Sequence, residues 1–290
     1  MPKVQYIYGD GWQTGVLVGD EPRSIDDGPA LTPTLGEYPI YDAPLYDVMA
    51  GDAERNWRFR DALEKYAPGR TVIDIGTGAF LFWARESLRL GANRALAIES
   101  MSESYQAASK LLSTIEDGQR ITLLHGESTS LTIDQEAELC VAEIIGSLPG
   151  AEGAAAVLSD AKQRHLTIDA KIISDLCLTQ AAAVNFADLF ANKEAAFTSD
   201  ALPKLKQIFD SNGAAFDVRL RVANPNMNAI ISDSAVVERL DFNGNLQTEQ
   251  VANVRLTISR PGMVDGLLTW LQIRCLPDQE PLDALHHKSN

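Results

Sequence analysis

The chain has 290 residues, 45% of them hydrophobic and 22% charged, which is the composition of a globular protein with room for one large or two ordinary domains. A net charge of -15 excludes a phosphate-backbone partner, which needs a basic surface, and favours the approach of a cation. The apolar runs are too short for a membrane span, the N-terminus lacks the design of a signal peptide, and Cys140, Cys177 and Cys275 match no zinc or disulfide spacing; no metal site is expected, and a reducing cytoplasm is.

The first segment, "VQYIYGDGWQTGVLVGD", reads as a strand, a Gly-Asp-Gly turn and a second strand, a hairpin. An irregular stretch follows to about residue 45, and "YDVMAGDAERNWRFRDALEKYAPG" then carries helical spacing closed by Pro68 and Gly69. From residue 71 strands and helices alternate. "TVIDIG", "RALAIES", "RITLLHG", "ELCVAEIIG" and "DAKIISDLCL" are five short apolar strands. Between them lie the helical "AFLFWARESLRLGA", "SESYQAASKLLSTI" and "GAEGAAAVLSDAKQRHL". This rhythm predicts βαβ units: an α/β, doubly wound, mostly parallel Rossmann-like sheet over residues 46–178.

Beyond residue 178 the rhythm changes. "NFADLFANKE" and "DALPKLKQIFDS" look helical, and "AAFDVRLRV", "NAIIS", "AVVERLDF", "QVANVRLTISR" and "VDGLLTWLQIRC" look like strands joined by turns. They predict an antiparallel, barrel-like domain over 179–290, so the expected organisation is a hairpin and lid (1–45), the α/β domain and the barrel.

Asp74, Gly76 and Gly78 stand at the carboxyl end of the first α/β strand, where glycine lets backbone approach a ligand and the next helix N-terminus favours a polar group. The second strand ends in Glu99, placed to take both hydroxyls of a ribose. The third glycine of the dinucleotide fingerprint is missing, which favours a nucleoside without pyrophosphate, such as S-adenosylmethionine. Glu143 ends the fourth strand and Glu152 follows nine residues later across a Gly-Ser-Leu-Pro-Gly turn. Two acids held so close repel one another unless a cation lies between them. Taken singly, Glu152 also suits the first turn of a helix.

"DAERNWRFRDAL", "VIDIGTG", "LGANRALAIE" and "VAEIIGSLPGAEGA", in this order and spacing, resemble the protein arginine methyltransferase family from about residue 38 to 180. "SAVVERLDF" and "GMVDGLLTWLQIRC" resemble that family's barrel strands more weakly. The resemblance implies an S-adenosyl-L-methionine-dependent methyltransferase with Glu143 and Glu152 on the acceptor guanidinium. It also implies that Arg55 pairs with the cofactor's methionyl carboxylate, Gly76 and Gly78 line the cofactor, Asp74 supports the loop and Glu99 holds the ribose. Glu127 is in reach of an adenine amine, but Thr129 is what aligns with the family's acid there. Tyr38 and Tyr41 resemble the tyrosines of the family's lid and Met49 a methionine beside the transferred methyl; each also reads as simple packing.

Three departures qualify the resemblance. Phe80 replaces the third motif glycine, the N-terminal hairpin is not recognisable from the eukaryotic enzymes, and the sequence ends at "LDALHHKSN", about where the family's Thr-His-Trp loop would begin. His286 or His287 could stand in for that loop's histidine, or belong to a plain tail. A shortened barrel favours a small or peptide acceptor: free arginine, an arginine-derived metabolite or a peptidyl arginine, as in natural-product pathways. The resemblance also implies a homodimer, with "NFADLFANKEAAFTSDALPKLKQIF" as an arm carrying exposed Leu and Phe. Two other readings stay open: methyl transfer to a carboxylate or hydroxyl oxygen, and a non-catalytic partner subunit.

Overall fold

The computed structural model describes residues 2–19, 30–33, 51–146, 148–190, 196–215, 220–223 and 225–287. Tyr38, Tyr41 and Met49 lie outside the described residues. The chain divides into two compact units: one of Met1–Asp42, Ala181–Ala235 and Val254–Thr269, the other of Ala43–Gln180, Val236–Asn253 and Trp270–Asn290.

In the first unit β1 (Lys3–Gly9) and β2 (Trp12–Val18) form an antiparallel hairpin, with Gly11 supplying the positive φ of +75° that the two-residue turn requires. β3 (Ala30–Pro33) pairs with the later β10 (Leu220–Ala223).

The second unit holds the α/β layer. Helix α1 (Ala53–Tyr66) starts at Asp52, whose side chain accepts the Arg55 backbone N–H at 3.1 Å, and Glu54 in its first turn and Lys65 in its last suit the helix dipole. Then come β4 (Thr71–Ile75), α2 (Phe82–Arg89), β5 (Arg94–Glu99), α3 (Ser102–Leu112), β6 (Ile121–His125), β7 (Ala137–Ala142), α4 (Ala154–Arg164) and β8 (Leu166–Ile173). The five strands are parallel in the order β6-β5-β4-β7-β8. β4 lies centrally and is buried at every position, which is why it reads as an unbroken apolar run rather than an alternation. Phe59 and Leu63 of α1, Leu158 of α4, and Ile73, Leu139 and Ile172 of the sheet form the heart of one core.

The remaining elements are β9 (Leu176–Val184), α5 (Phe186–Leu189), α6 (Leu202–Asn212), β11 (Ile230–Asp241), β12 (Gly266–Arg274) and β13 (Leu282–Asp283). A four-stranded antiparallel sheet runs β11-β9-β12-β13. The antiparallel sheet is the class the turn-rich C-terminal sequence predicts, although the barrel closure expected for it goes beyond the strand order among the described residues.

Four expectations need correction. "DAKIISDLCL" is the end of β8, a Ser174–Asp175 break and the start of β9, not one strand. "QVANVRLTISR" is irregular apart from a bridge between Ile258 and Ser232; Val251 is 95% exposed, so the alternation covers no core. "NAIIS" and "AVVERLDF" are one strand, β11. The Leu and Phe positions assigned to a dimer arm are largely covered within the first unit. Leu205, Ile208 and Phe209 pack on Ile7, with Trp12 edge-on to Phe209 at 5.5 Å, and Leu189 and Phe190 pack on Ala229. The units also follow different lines from the three expected segments: the hairpin groups with α6, and residues 236–253 and 270–290 group with the α/β layer.

Candidate active site

The parallel register sets the site. Ile75, the last residue of β4, pairs with Ile98 of β5 on one side and Ala142 of β7 on the other. The next register row is therefore Glu99, Gly76 and Glu143, with an acid on each side of a glycine. The chain passes from β6 to β7 across β4, so this row lies at the topological switch of the sheet, outside the carboxyl ends of its strands.

Gly76 has φ +77°, and a Cβ there would approach Ile144 Cγ2 to 2.9 Å, so both conformation and space demand glycine. The backbone N–H groups of Gly76 and Thr77 both donate to the Ile98 carbonyl at 3.0 Å. Asp74 is fully buried beneath the loop. Its Oδ2 accepts the Thr77 hydroxyl at 2.6 Å and the Ala84 N–H at 2.9 Å, which ties the loop to the first turns of α2, while Oδ1 has no hydrogen-bond partner among the described residues. Burial raises this carboxyl to about 7, outweighing both hydrogen bonds, and Glu143 and Glu99 push it up further. Leu81, at the start of α2, is a non-glycine residue in the left-handed region at φ +51°, next to the Phe80 that stands where the family has its third glycine. Such strain gathers where a loop is held for a ligand.

Glu99 is buried at 4% exposure. One carboxylate oxygen accepts the Gly78 N–H at 2.9 Å and the other the Met101 N–H at 2.7 Å. It thereby joins the loop after β4 to the start of α3. Glu127 and Thr129 are exposed in the loop after β6, and Ser128 between them is buried, its carbonyl accepting from Arg164.

Glu143 is held by side chains instead. Arg55 Nη1 lies 2.7 Å from Oε1, and the Trp83 indole Nε1–H donates to Oε2 at 2.7 Å. Burial raises the Glu143 pKa from its ordinary value; Arg55 and Trp83 pull it down, and the charges of Asp52 and Glu152 push it up. Glu152 is half-buried and folds back over the loop: a Cβ on Gly146 would meet its Oε1 at 2.8 Å. Gly146 therefore makes room for the second carboxylate. The loop is fastened at Gly150, whose N–H donates to Glu238 Oε2 at 3.2 Å.

The sheet thus brings Asp74, Gly76, Gly78 and Glu99 to one loop cluster, and Arg55, Glu143 and Glu152 to another beside it. His286 sits apart in a C-terminal turn, 3.1 Å from Asp283. Sequence reasoning did not find Trp83. Its signal is a tryptophan on an apolar helix face, because a buried indole N–H needs an acceptor.

No protein-family model matches the chain. Protein arginine N-methyltransferase 7 of Drosophila virilis is 29% identical to it over 245 residues, 78% of this chain and 35% of that protein. The Drosophila melanogaster protein of the same name is 26% identical over 254 residues, 81% of this chain and 37% of its own length. The chain is a relative of the protein arginine N-methyltransferases. It spans about a third of the length of these curated relatives. Among solved structures, Arabidopsis thaliana protein arginine methyltransferase 10 matches with a TM-score of 0.57 at 14% identity, covering 80% of this chain and 73% of that one. The Trypanosoma brucei PRMT1 enzyme–prozyme heterotetrameric complex with AdoHcy matches at 0.52 and 15%, covering 70% and 63%. At such identities the arginine methyltransferase structures establish the fold alone. Among the described residues no helix is long and apolar enough to cross a membrane.

Proposed function

We propose that the chain is an S-adenosylmethionine-dependent N-methyltransferase acting on a guanidino nitrogen. The observation that carries this is the Glu143–Glu152 loop: two carboxylates within one turn, one of them already holding a guanidinium, that of Arg55, at 2.7 Å.

The residues present fit the cofactor. Each oxygen of Glu99 takes one backbone N–H and keeps a further acceptor position, the donor-acceptor match for two neighbouring hydroxyls. Met101 and Phe80, on the loops after β5 and β4, are exposed apolar side chains. When bound, the cofactor supplies an electrophilic methyl group on a sulfonium. Arg55 is the cation for its carboxylate, and Asp74 keeps the glycine loop in place.

A guanidinium stays protonated at any cellular pH, so orientation is the task. Two carboxylates accept its forked N–H groups, offset its charge and aim one nitrogen. Holding that nitrogen in line at near-attack distance supplies much of the rate. The acceptor class proposed is free arginine, an arginine-derived metabolite or a peptidyl arginine, and the assembly a homodimer in the cytoplasm. Labelled methyl transfer to a panel of guanidines and carboxylic acids tests the acceptor. Labelling of guanidines supports the reading, and labelling of the acids alone overturns it.

A further inference from the structure

Glu143 carries two charge-assisted contacts of different kinds. Arg55 brings a charged side chain from α1. Trp83 brings a neutral donor that has no freedom to leave: it is 2% exposed, stacked on Phe59 at 4.8 Å and 20°, and edge-on to Phe82 at 4.7 Å and 84°. A phenylalanine would fill this aromatic wall. What the tryptophan adds is the N–H aimed at Glu143 Oε2.

Resting on the guanidine reading above, we propose that Trp83 is a positioning residue that occupies Glu143 Oε2 and thereby assigns Oε1 to the acceptor guanidinium. The division is visible in the contacts, since the guanidinium of Arg55 lies on Oε1 of Glu143 while the indole lies on Oε2. Because the indole is uncharged, it fixes the carboxylate without offsetting the charge the acceptor needs. Its hydrogen bond also favours the ionised acid against the burial that opposes it.

The test replaces Trp83 by phenylalanine (Trp83→Phe) and, separately, by benzothienylalanine, which keeps the bicyclic shape with sulfur in place of N–H. Unfolding temperature and cofactor affinity establish that the benzothienylalanine protein is folded. Losing a hydrogen bond to a charged group should lower kcat by about ten- to a hundredfold, with acceptor KM within a few-fold. The acid limb of the kcat profile should move to higher pH, since the carboxyl loses a contact that favours its ionised form. Added to Glu143→Gln, Trp83→Phe should cost little more, because it acts through Glu143. If Glu143→Gln is impaired but the benzothienylalanine protein keeps the parent kcat and pH profile, the inference about Trp83 is overturned and the guanidine reading survives.

A readout independent of activity separates the two. Among the four tryptophan indole N–H resonances, the one lost in Trp83→Phe should shift in Glu143→Gln and titrate with the Glu143 carboxyl. If it does so in a protein that methylates no guanidine, the contact of Trp83 with Glu143 stands and the guanidine reading alone falls. A resonance indifferent to Glu143 overturns the contact.

Discussion

Glu99 and Glu143 flank the same glycine one residue beyond the central strand, yet they are held by opposite means. Both Glu99 oxygens accept backbone N–H groups, from Gly78 and Met101. Both Glu143 oxygens face side chains, Arg55 and Trp83. A backbone donor leaves only if its loop rearranges, so Glu99 is part of the scaffold even before it meets a ligand. A side-chain donor such as Arg55 can exchange partners by rotating its torsions. The β5 side of the sheet therefore holds its acid through the backbone, and the β7 side holds its acid through side chains.

The largest expected effect breaks the exchangeable side. Glu143→Gln should lower the methylation rate by about two to three orders of magnitude, the cost of losing one preorganised electrostatic contact, with cofactor affinity nearly intact. Glu152→Gln should do the same, and the double variant should be scarcely worse. Steady-state kinetics beside calorimetry checks this; loss of cofactor binding in either variant would make the pair scaffold.

The next effect concerns the acid beneath the row. Asp74 is raised from 3.8 to about 7, so between those values the folded chain holds a proton the unfolded chain has released. Stability should therefore fall as pH rises from about 4 to about 7, by up to about 1.4 kcal/mol per pH unit, and level off above. Asp74→Asn should flatten that slope in denaturant titrations run across the range; an unchanged slope would assign it to other groups.

On the fixed side, Glu99→Ala should weaken S-adenosylmethionine binding by about one to two orders of magnitude, since a hydrogen bond to a charged group contributes about 1.5–3 kcal/mol. Undiminished affinity in a folded protein would remove the ribose assignment. The smallest effect lies between the two acids. Gly76→Ala forces a Cβ into the left-handed region and against Ile144, at a cost of about 1–2 kcal/mol, visible as a Tm lowered by a few degrees.

The contrast also explains what the sequence could say. Buried parallel strands announce themselves as apolar runs, so β4, β5 and β7 were legible from spacing, as were the acid that ends β5 and the acid just beyond β7. The partners of those acids were not. Arg55 and Trp83 sit on two helices, 88 and 60 positions before Glu143, and which oxygen each meets is decided by side-chain torsions that spacing does not encode. The failures elsewhere have the same character. Residues 250–260 alternate as a strand should, but regular pairing did not follow because their apolar side has nothing to cover. The Leu and Phe of α5 and α6 looked available only because the sequence does not tell that the N-terminal hairpin lies beneath α6 and Ala229 beneath Leu189 and Phe190.

The three cysteines offer a practical consequence. Cys140, Cys177 and Cys275 are all buried and unpaired by disulfides, and burial pushes each thiol up, Cys275 to about 12 and the other two well above the ordinary range. Alkylating probes react with thiolate, so the native protein is a nearly silent background for labelling chemistry. A single cysteine placed at the fully exposed Ile168 of β8 (Ile168→Cys) would then be the one residue to take up a maleimide fluorophore, giving a reporter on the α/β layer without first removing any native thiol.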